Sequence, residues 1–109
     1  MTDDADRPAP RRPIPPLMDR LGELCQAGRD GAAYLWQVPG DAAALARIAE
    51  ILTEIRGEGV KSGRREMTRL VDEMQAAAGA SPSPQQVEIL QDGFERLTRL
   101  WQSAKSGIF

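Results

Sequence analysis

Residues 83–101 read SPQQVEILQDGFERLTRLW, and this stretch decides the fold class. Ser83 is a typical helix N-cap, Pro84 suits the first helical position, and Gln86 completes a capping box three residues after the cap. The apolar residues that follow are spaced by three or four positions: Val87, Leu90, Phe94, Leu97 and Trp101. This spacing predicts an amphipathic helix that buries one stripe.

The same spacing recurs in three earlier segments of the chain. The first predicted helix covers about residues 17–27, is broken by Gly28 and Gly31, and is followed by a further helical turn or two around Trp36, in the core. Asp41 has the residue type that caps a second helix, which we expect to end near Arg56. Glycines interrupt the helical pattern over residues 57–63, and a third helix follows as far as Gly79.

No segment of the sequence alternates between apolar and polar residues as a half-buried strand does. We therefore expect an all-α fold, an antiparallel bundle of four main helices that forms a single domain over residues 17–109. Residues 1–16 hold five of the eight prolines, which predicts a disordered or polyproline-like tail. The chain closes on an apolar Gly107-Ile108-Phe109 end, for which a packed or frayed terminus and a docking tail remain alternatives.

The chain has no histidine and one cysteine, Cys25. Histidine is therefore excluded as a general base, a metal ligand or a phosphate carrier, and a single thiol cannot form an internal disulfide. No nucleophile, acid/base pair or metal-ligand motif stands out in the remaining residues. We expect a protein that is not an enzyme and that uses neither a metal ion nor a cofactor, and we expect Cys25 to be a small buried residue.

The net charge of −2 conceals an uneven distribution. Residues 56–69 hold five basic residues against two acidic ones, whereas the segments on either side are acidic. This basic segment has no interleaved aromatic residues on which bases could stack, and this absence argues against a nucleic-acid partner. No apolar run is long enough to cross a membrane, and the acidic amino terminus is unlike a signal peptide, so we expect a cytoplasmic protein.

The stretch from Thr53 to Gln75 contains a specific pattern. Ile55, Arg56 and Gly57 are followed by five residues and then by Gly63, after which Met67, Leu70 and Met74 recur at helical spacing. This pattern resembles the signature of histidine-containing phosphotransfer (Hpt) domains, in which a histidine precedes the aliphatic residue by two positions. Thr53 occupies the place of that histidine, and Glu58 follows the glycine where the family often has a small residue.

The resemblance implies an Hpt-like bundle that has lost its phosphorylated residue. A threonine hydroxyl has a very high pKa and forms a stable ester, so it does not serve as a reversible phosphoryl carrier. The resemblance therefore points to binding, to a response-regulator receiver domain or a histidine kinase of a two-component phosphorelay. The expected partner-binding residues are Thr53, Arg56, Gly57, Lys61, Arg64 and Arg65, whose basic members would complement the aspartate-rich pocket of a receiver domain.

The sequence leaves three alternatives open. Thr53 is also explained as an ordinary helical residue whose hydroxyl bonds to a carbonyl one turn earlier. The basic residues equally suit a solvated surface paired with Glu58, Glu66, Asp72 and Glu73. Finally, the protein fits a structural or assembly bundle that self-associates, or docks a partner helix, through the apolar stripe of its last helix.

Overall fold

The computed structural model describes residues 16–106, with their side chains from Asp19 onward. Four α-helices span this range and no strand occurs within it: α1 (Pro16–Gln37), α2 (Ala42–Ser62), α3 (Arg65–Ala78) and α4 (Pro84–Ser106). Each helix packs against the next, and α1 also packs against α4, which closes the bundle. The predicted all-α four-helix bundle is confirmed. The predicted tail up to residue 15 and the end over residues 107–109 lie outside the described residues.

Contacts between the helices show that neighbours run antiparallel. Arg20 near the start of α1 pairs with Glu54 in the second half of α2, and Arg56 of α2 pairs with Asp72 in the second half of α3. A Cβ atom added to Gly22, also near the start of α1, would lie 2.5 Å from the Trp101 ring near the end of α4. The N-terminus of α1 and the α2–α3 turn are therefore at the same end of the bundle.

The apolar stripe of α4 lies in the core. Four of its residues are each at most 2% exposed: Val87, Leu90, Phe94 and Leu97. They pack with apolar residues of the other three helices. Burial of such side chains is the main stabilising contribution to a bundle of this size. Self-association cannot use this stripe while the bundle is folded, because the protein's own helices already cover it.

Helix α1 is continuous, so the predicted break at Gly28 and Gly31 is wrong. A Cβ atom on Gly28 would overlap the ring of Phe94, and one on Gly31 would lie 3.1 Å from Ile48 Cγ1. These glycines let the neighbouring helices approach closely, and the packing that this approach allows outweighs the low helix propensity of glycine. The helix also begins at Pro16, one residue earlier than expected, where proline is tolerated as a first helical residue.

Helix α2 is also longer than predicted, because it runs through Gly57 and Gly59 to Ser62. It ends at Gly63, whose φ of 72° is in the left-handed region. The N–H groups of Gly63 and Arg64 bond to the carbonyls of Val60 and Gly59, as at a glycine C-cap. Lys61, which falls within the predicted interruption, therefore lies on α2.

The predicted N-caps are confirmed in position. Ala44 N donates to Asp41 Oδ2 at 2.9 Å, and Gln86 N donates to Ser83 Oγ at 3.1 Å. The second half of the predicted capping box is different, because the Gln86 side chain turns away from Ser83. Its Nε2 atom donates instead to the carbonyls of Ala77 and Ala80, each at 3.0 Å, and so ties α4 to the end of α3.

The two tryptophans occupy different environments. Trp36, predicted in the core, is 44% exposed, and its Nε1 atom donates to Gln91 Oε1 at 2.6 Å. Position 36 falls at the solvent boundary because α1 continues without a break. Trp101 packs against the core and is partly buried.

Among the described helices, none combines the length and apolar character that a membrane span requires.

Candidate functional site

The outer surface of α2 presents most of the residues predicted to bind a partner. Thr53, Arg56, Gly57, Val60 and Lys61 are all exposed, and their spacing by three and four places them on one side of the helix. We call this surface the Thr53 face. The opposite side of the same turns carries Leu52, Ile55 and Gly59, which are buried. The amphipathic pattern of α2 therefore directs Thr53 outward.

The hydroxyl of Thr53 makes two contacts. It donates to the Ala49 carbonyl at 3.0 Å, as one alternative predicted, and it accepts from Gln75 Nε2 of α3 at 3.3 Å. Both contacts are with amide groups, and neither is a base that takes up the hydroxyl proton. Thr53 is thus held at the surface by the backbone and by α3, without an arrangement that would activate it as a nucleophile.

Gly57, one turn after Thr53, is exposed and lies in open space. A Cβ atom added to it meets no atom within 4 Å, and Gly57 is not among the positive-φ glycines of the described chain. Gly59, by contrast, is buried, and its Cβ would lie 3.0 Å from Thr68 Cγ2 of α3. Glycine in a helix interior costs roughly 0.5–1 kcal/mol relative to alanine. The fold requires a small residue at 59, whereas nothing in the described structure requires one at 57.

Arg56 extends from the Thr53 face toward α3. Its Nε atom lies 2.6 Å from Asp72 Oδ1, in a pair whose side chains are 45% and 53% exposed. The hydrogen bond to Asp72, and then the charge of that carboxylate, raise the pKa of Arg56 further above its ordinary value. This ion pair partly neutralises Arg56, and Lys61 lies 3.8 Å from Glu58. The alternative of a paired surface is therefore correct for these two bases.

Arg64 and Arg65 lie at the α2–α3 turn, beyond the Thr53 face. Arg64 is the N-cap residue of α3, with φ −92° and ψ 90°, and both arginines line a 340 Å³ cavity that includes Met67 and Leu100. Seven residues separate Arg64 from Gly57, which corresponds to about 10 Å along a helix. Of the six predicted site residues, four are on the Thr53 face and two lie at its end.

Val60 is an exposed apolar residue that the sequence analysis missed. Its side chain is 58% exposed, the largest fraction among the exposed large hydrophobic residues of the described chain. The expected interruption at residues 57–63 hid it, because a residue in a loop has no helical face. Continuation of the helical spacing from Thr53 through Gly57 would have placed Val60 beside them.

Other chemistry is sparse in the described part of the chain. No three histidine, cysteine, aspartate or glutamate side chains among residues 19–106 lie close enough together to hold a metal ion. Cys25 is 2% exposed, as predicted, and burial raises the pKa of its thiol to about 11. This shift from the ordinary value of 9.0 makes the thiolate roughly a hundredfold less abundant at neutral pH.

The buried thiol leads to a first prediction. We expect iodoacetamide to modify Cys25 very slowly in the native protein and rapidly in urea, because only the unfolded chain exposes a thiol of ordinary pKa. Since the folded pKa is the higher one, Cys25 also lowers the stability of the fold as the pH rises above about 9. Native-state alkylation at the rate of a small-molecule thiol would contradict this description of Cys25.

Comparison with known proteins adds no relative. No protein-family model matches the sequence, and neither a curated protein nor a solved structure matches it significantly.

Proposed function

We propose that this protein is a non-catalytic binding module, an Hpt-like domain without its histidine, which docks on a receiver domain through the Thr53 face. The observation that carries the proposal is Gly57, an exposed glycine that neither packing nor backbone conformation requires. Gly57 follows Thr53 by one helical turn, so it leaves free space beside the Thr53 side chain. A close-fitting partner explains why a helix would retain a residue that destabilises it.

The chemistry at position 53 supports binding rather than phosphoryl transfer. Thr53 is exposed where the histidine of an Hpt domain would be presented, but its hydroxyl is bonded to Ala49 and Gln75. A phosphothreonine would be a stable ester, unlike the labile phosphohistidine that a relay needs. The protein would therefore compete with, sequester or scaffold the partner of an active Hpt domain.

The surface around Thr53 has a composition that suits a protein interface. Val60 and Gly57 supply an apolar, low-relief centre, and Lys61 and Arg65 are exposed bases at its edge. Interfaces with an apolar centre and a charged rim are common among transient complexes. Basic residues at the rim would increase the rate of association with an aspartate-rich receiver pocket.

The second prediction tests this surface with a matched pair of variants. Purified receiver domains from the same organism are titrated against the wild-type protein, Gly57→Arg and Ala33→Arg. Ala33 is an exposed residue of α1 that borders a cavity between α1 and α4, away from the α2–α3 surface. We expect Gly57→Arg to weaken binding at least about tenfold through a steric clash in the interface, and Ala33→Arg to leave it unchanged.

The charged rim is tested separately with Arg64→Glu combined with Arg65→Glu, which we expect to lower the association rate more than it raises the dissociation rate. Circular dichroism confirms that each variant is folded. The proposal is wrong if no receiver domain binds the wild-type protein, or if Gly57→Arg and Ala33→Arg bind with equal affinity.

A further inference from the structure

A continuous groove runs between α3 and α4, on a different side of the bundle from the Thr53 face. It consists of three adjoining cavities of 340, 170 and 210 Å³. The first and second share Glu66 and Leu100, and the second and third share Arg96. The groove therefore extends from the α2–α3 turn along much of the length of α3.

Charges along this groove are separated by sign. Met74 is level with Gly93, because a Cβ atom on Gly93 would overlap the Met74 side chain. With this register and an antiparallel arrangement, the basic side chains lie toward the α2–α3 turn and the acidic ones lie toward the α3–α4 loop. The basic half contains Arg65, Arg69, Arg96 and Arg99, with Glu66 among them and Glu95 at its outer edge, and the acidic half contains Glu73, Glu88 and Asp92.

Most of these charges have no partner of opposite sign within the described part of the molecule. Arg69 and Glu73 are four residues apart on α3, and Asp92 and Arg96 are four apart on α4, a spacing that permits ion pairs. Nevertheless, the salt bridges found among residues 19–106 join other residues. Arg65, Arg99 and Glu88 likewise form no salt bridge within that range. The two halves thus present exposed and opposite fields.

We propose that this α3–α4 face binds a second copy of the same chain in an antiparallel, two-fold symmetric dimer. The boundary between the acidic and basic halves falls between Asp92 and Arg96. A two-fold axis through this boundary, perpendicular to the helices, places the acidic half of each copy on the basic half of the other. Asp92 of one copy then faces Arg96 of the other, Glu88 faces Arg99, and each contact occurs twice. Glu73, which is level with Phe94, lies beside the axis.

The separation of charge favours this occupant over a polyanion. A nucleic acid or a uniformly acidic peptide would bind the basic half, but the same face would repel it at Glu73, Glu88 and Asp92. A partner must carry both signs in the reverse order to match the whole face, and a rotated copy of this chain does so. Ile89 is 46% exposed and Leu100 lines the groove, so the apolar contribution is small. The dimer is consequently weak and sensitive to salt.

Sedimentation velocity of the full chain is the first part of the test. We expect the wild-type protein to dimerise at about 0.05 M NaCl, with a dissociation constant that rises at least about tenfold at 0.5 M NaCl because ions screen the paired charges. A protein that remains monomeric up to about 0.5 mM at low salt would overturn the proposal.

The decisive part uses two complementary variants. Glu73→Arg with Asp92→Arg makes the face predominantly basic, and Arg96→Glu with Arg99→Glu makes it predominantly acidic. We expect each variant alone to be monomeric and an equimolar mixture to form a heterodimer. A matched charge exchange on α1, Arg29→Glu with Asp30→Arg, leaves wild-type dimerisation unchanged. Dimerisation of either face variant alone, or no association in the mixture, would show that this face is not the interface.

Discussion

Replacement of Gly28 by alanine is expected to lower the free energy of unfolding by about 1–3 kcal/mol. In an exposed helix, this change would raise stability by roughly 1 kcal/mol, because alanine has the higher helix propensity. At position 28, however, the new methyl group would overlap the ring of Phe94. That ring is fully buried, so it cannot move without disturbing its neighbours, and the steric effect outweighs the propensity.

Gly57→Ala is the matched control, because it makes the same chemical change on α2 at a glycine with open space around it. We expect it to raise stability by about 0.5–1 kcal/mol. Urea denaturation monitored by circular dichroism measures both variants, and Phe94→Leu in the Gly28→Ala background should recover part of the loss by making room. If Gly28→Ala raised stability as Gly57→Ala is expected to do, it would contradict the close approach of α1 and α4 at Gly28.

These glycines also show where reasoning from the sequence succeeded and where it failed. The apolar spacing identified the four helices because that pattern is local and repeats several times in each of them. The effect of a glycine, however, depends on what lies opposite it in a neighbouring helix. Gly28 faces an aromatic ring and Gly57 faces solvent, yet their local sequence contexts do not distinguish them. The predicted breaks in α1 and α2 both resulted from this ambiguity.

The candidate site was predictable to a similar extent. The outward position of Thr53 and its bond to the preceding turn follow from the helical register alone. The contact with Gln75 and the orientation of the Arg56–Asp72 pair depend on how α2 and α3 are aligned. That alignment is fixed by the turn at Gly63, whose hydrogen bonds to the preceding carbonyls the sequence pattern does not specify. Because α2 continues past Gly57, Val60 lies on the exposed surface of a helix. The glycines around it had predicted an interruption there.

The two proposed surfaces are compatible with each other. The Thr53 face lies on α2, the self-association face lies on α3 and α4, and the two meet at Arg65, which is at the edge of both. A dimer formed through α3 and α4 would therefore leave a Thr53 face open on each copy. Such a dimer binds a partner that is itself dimeric with higher avidity than a single copy does, provided that the two sites can be spanned. Variants of the α3–α4 face would then weaken this avidity and leave the one-to-one affinity unchanged.

Gln86 is the site of the second large expected effect. Its side chain is 2% exposed, and its Nε2 atom donates to two carbonyls at the end of α3, those of Ala77 and Ala80. Its Oε1 atom has no hydrogen-bond partner among the described residues. Gln86→Glu replaces the donor with a second oxygen and buries a negative charge against carbonyl oxygens. We expect it to lower the free energy of unfolding by about 3 kcal/mol or more at pH 7.

The pH dependence distinguishes this mechanism from a simple loss of packing. Burial without a positive partner raises the pKa of the new carboxyl group above its ordinary value of about 4.3. Because the folded-state pKa is the higher one, the stability of the variant is greatest at acidic pH, where the protonated acid donates to a carbonyl, and falls as the pH rises through the folded-state pKa. Gln86→Met, which has similar volume and no charge, should instead be destabilised by about 1–3 kcal/mol relative to wild type at every pH, because it leaves the same carbonyls without a donor. Urea denaturation of the wild-type protein, Gln86→Glu and Gln86→Met between pH 4 and pH 8 measures the free energy of unfolding at each pH. If this free energy depended on pH in the same way for both variants, position 86 would not hold a buried donor between α3 and α4.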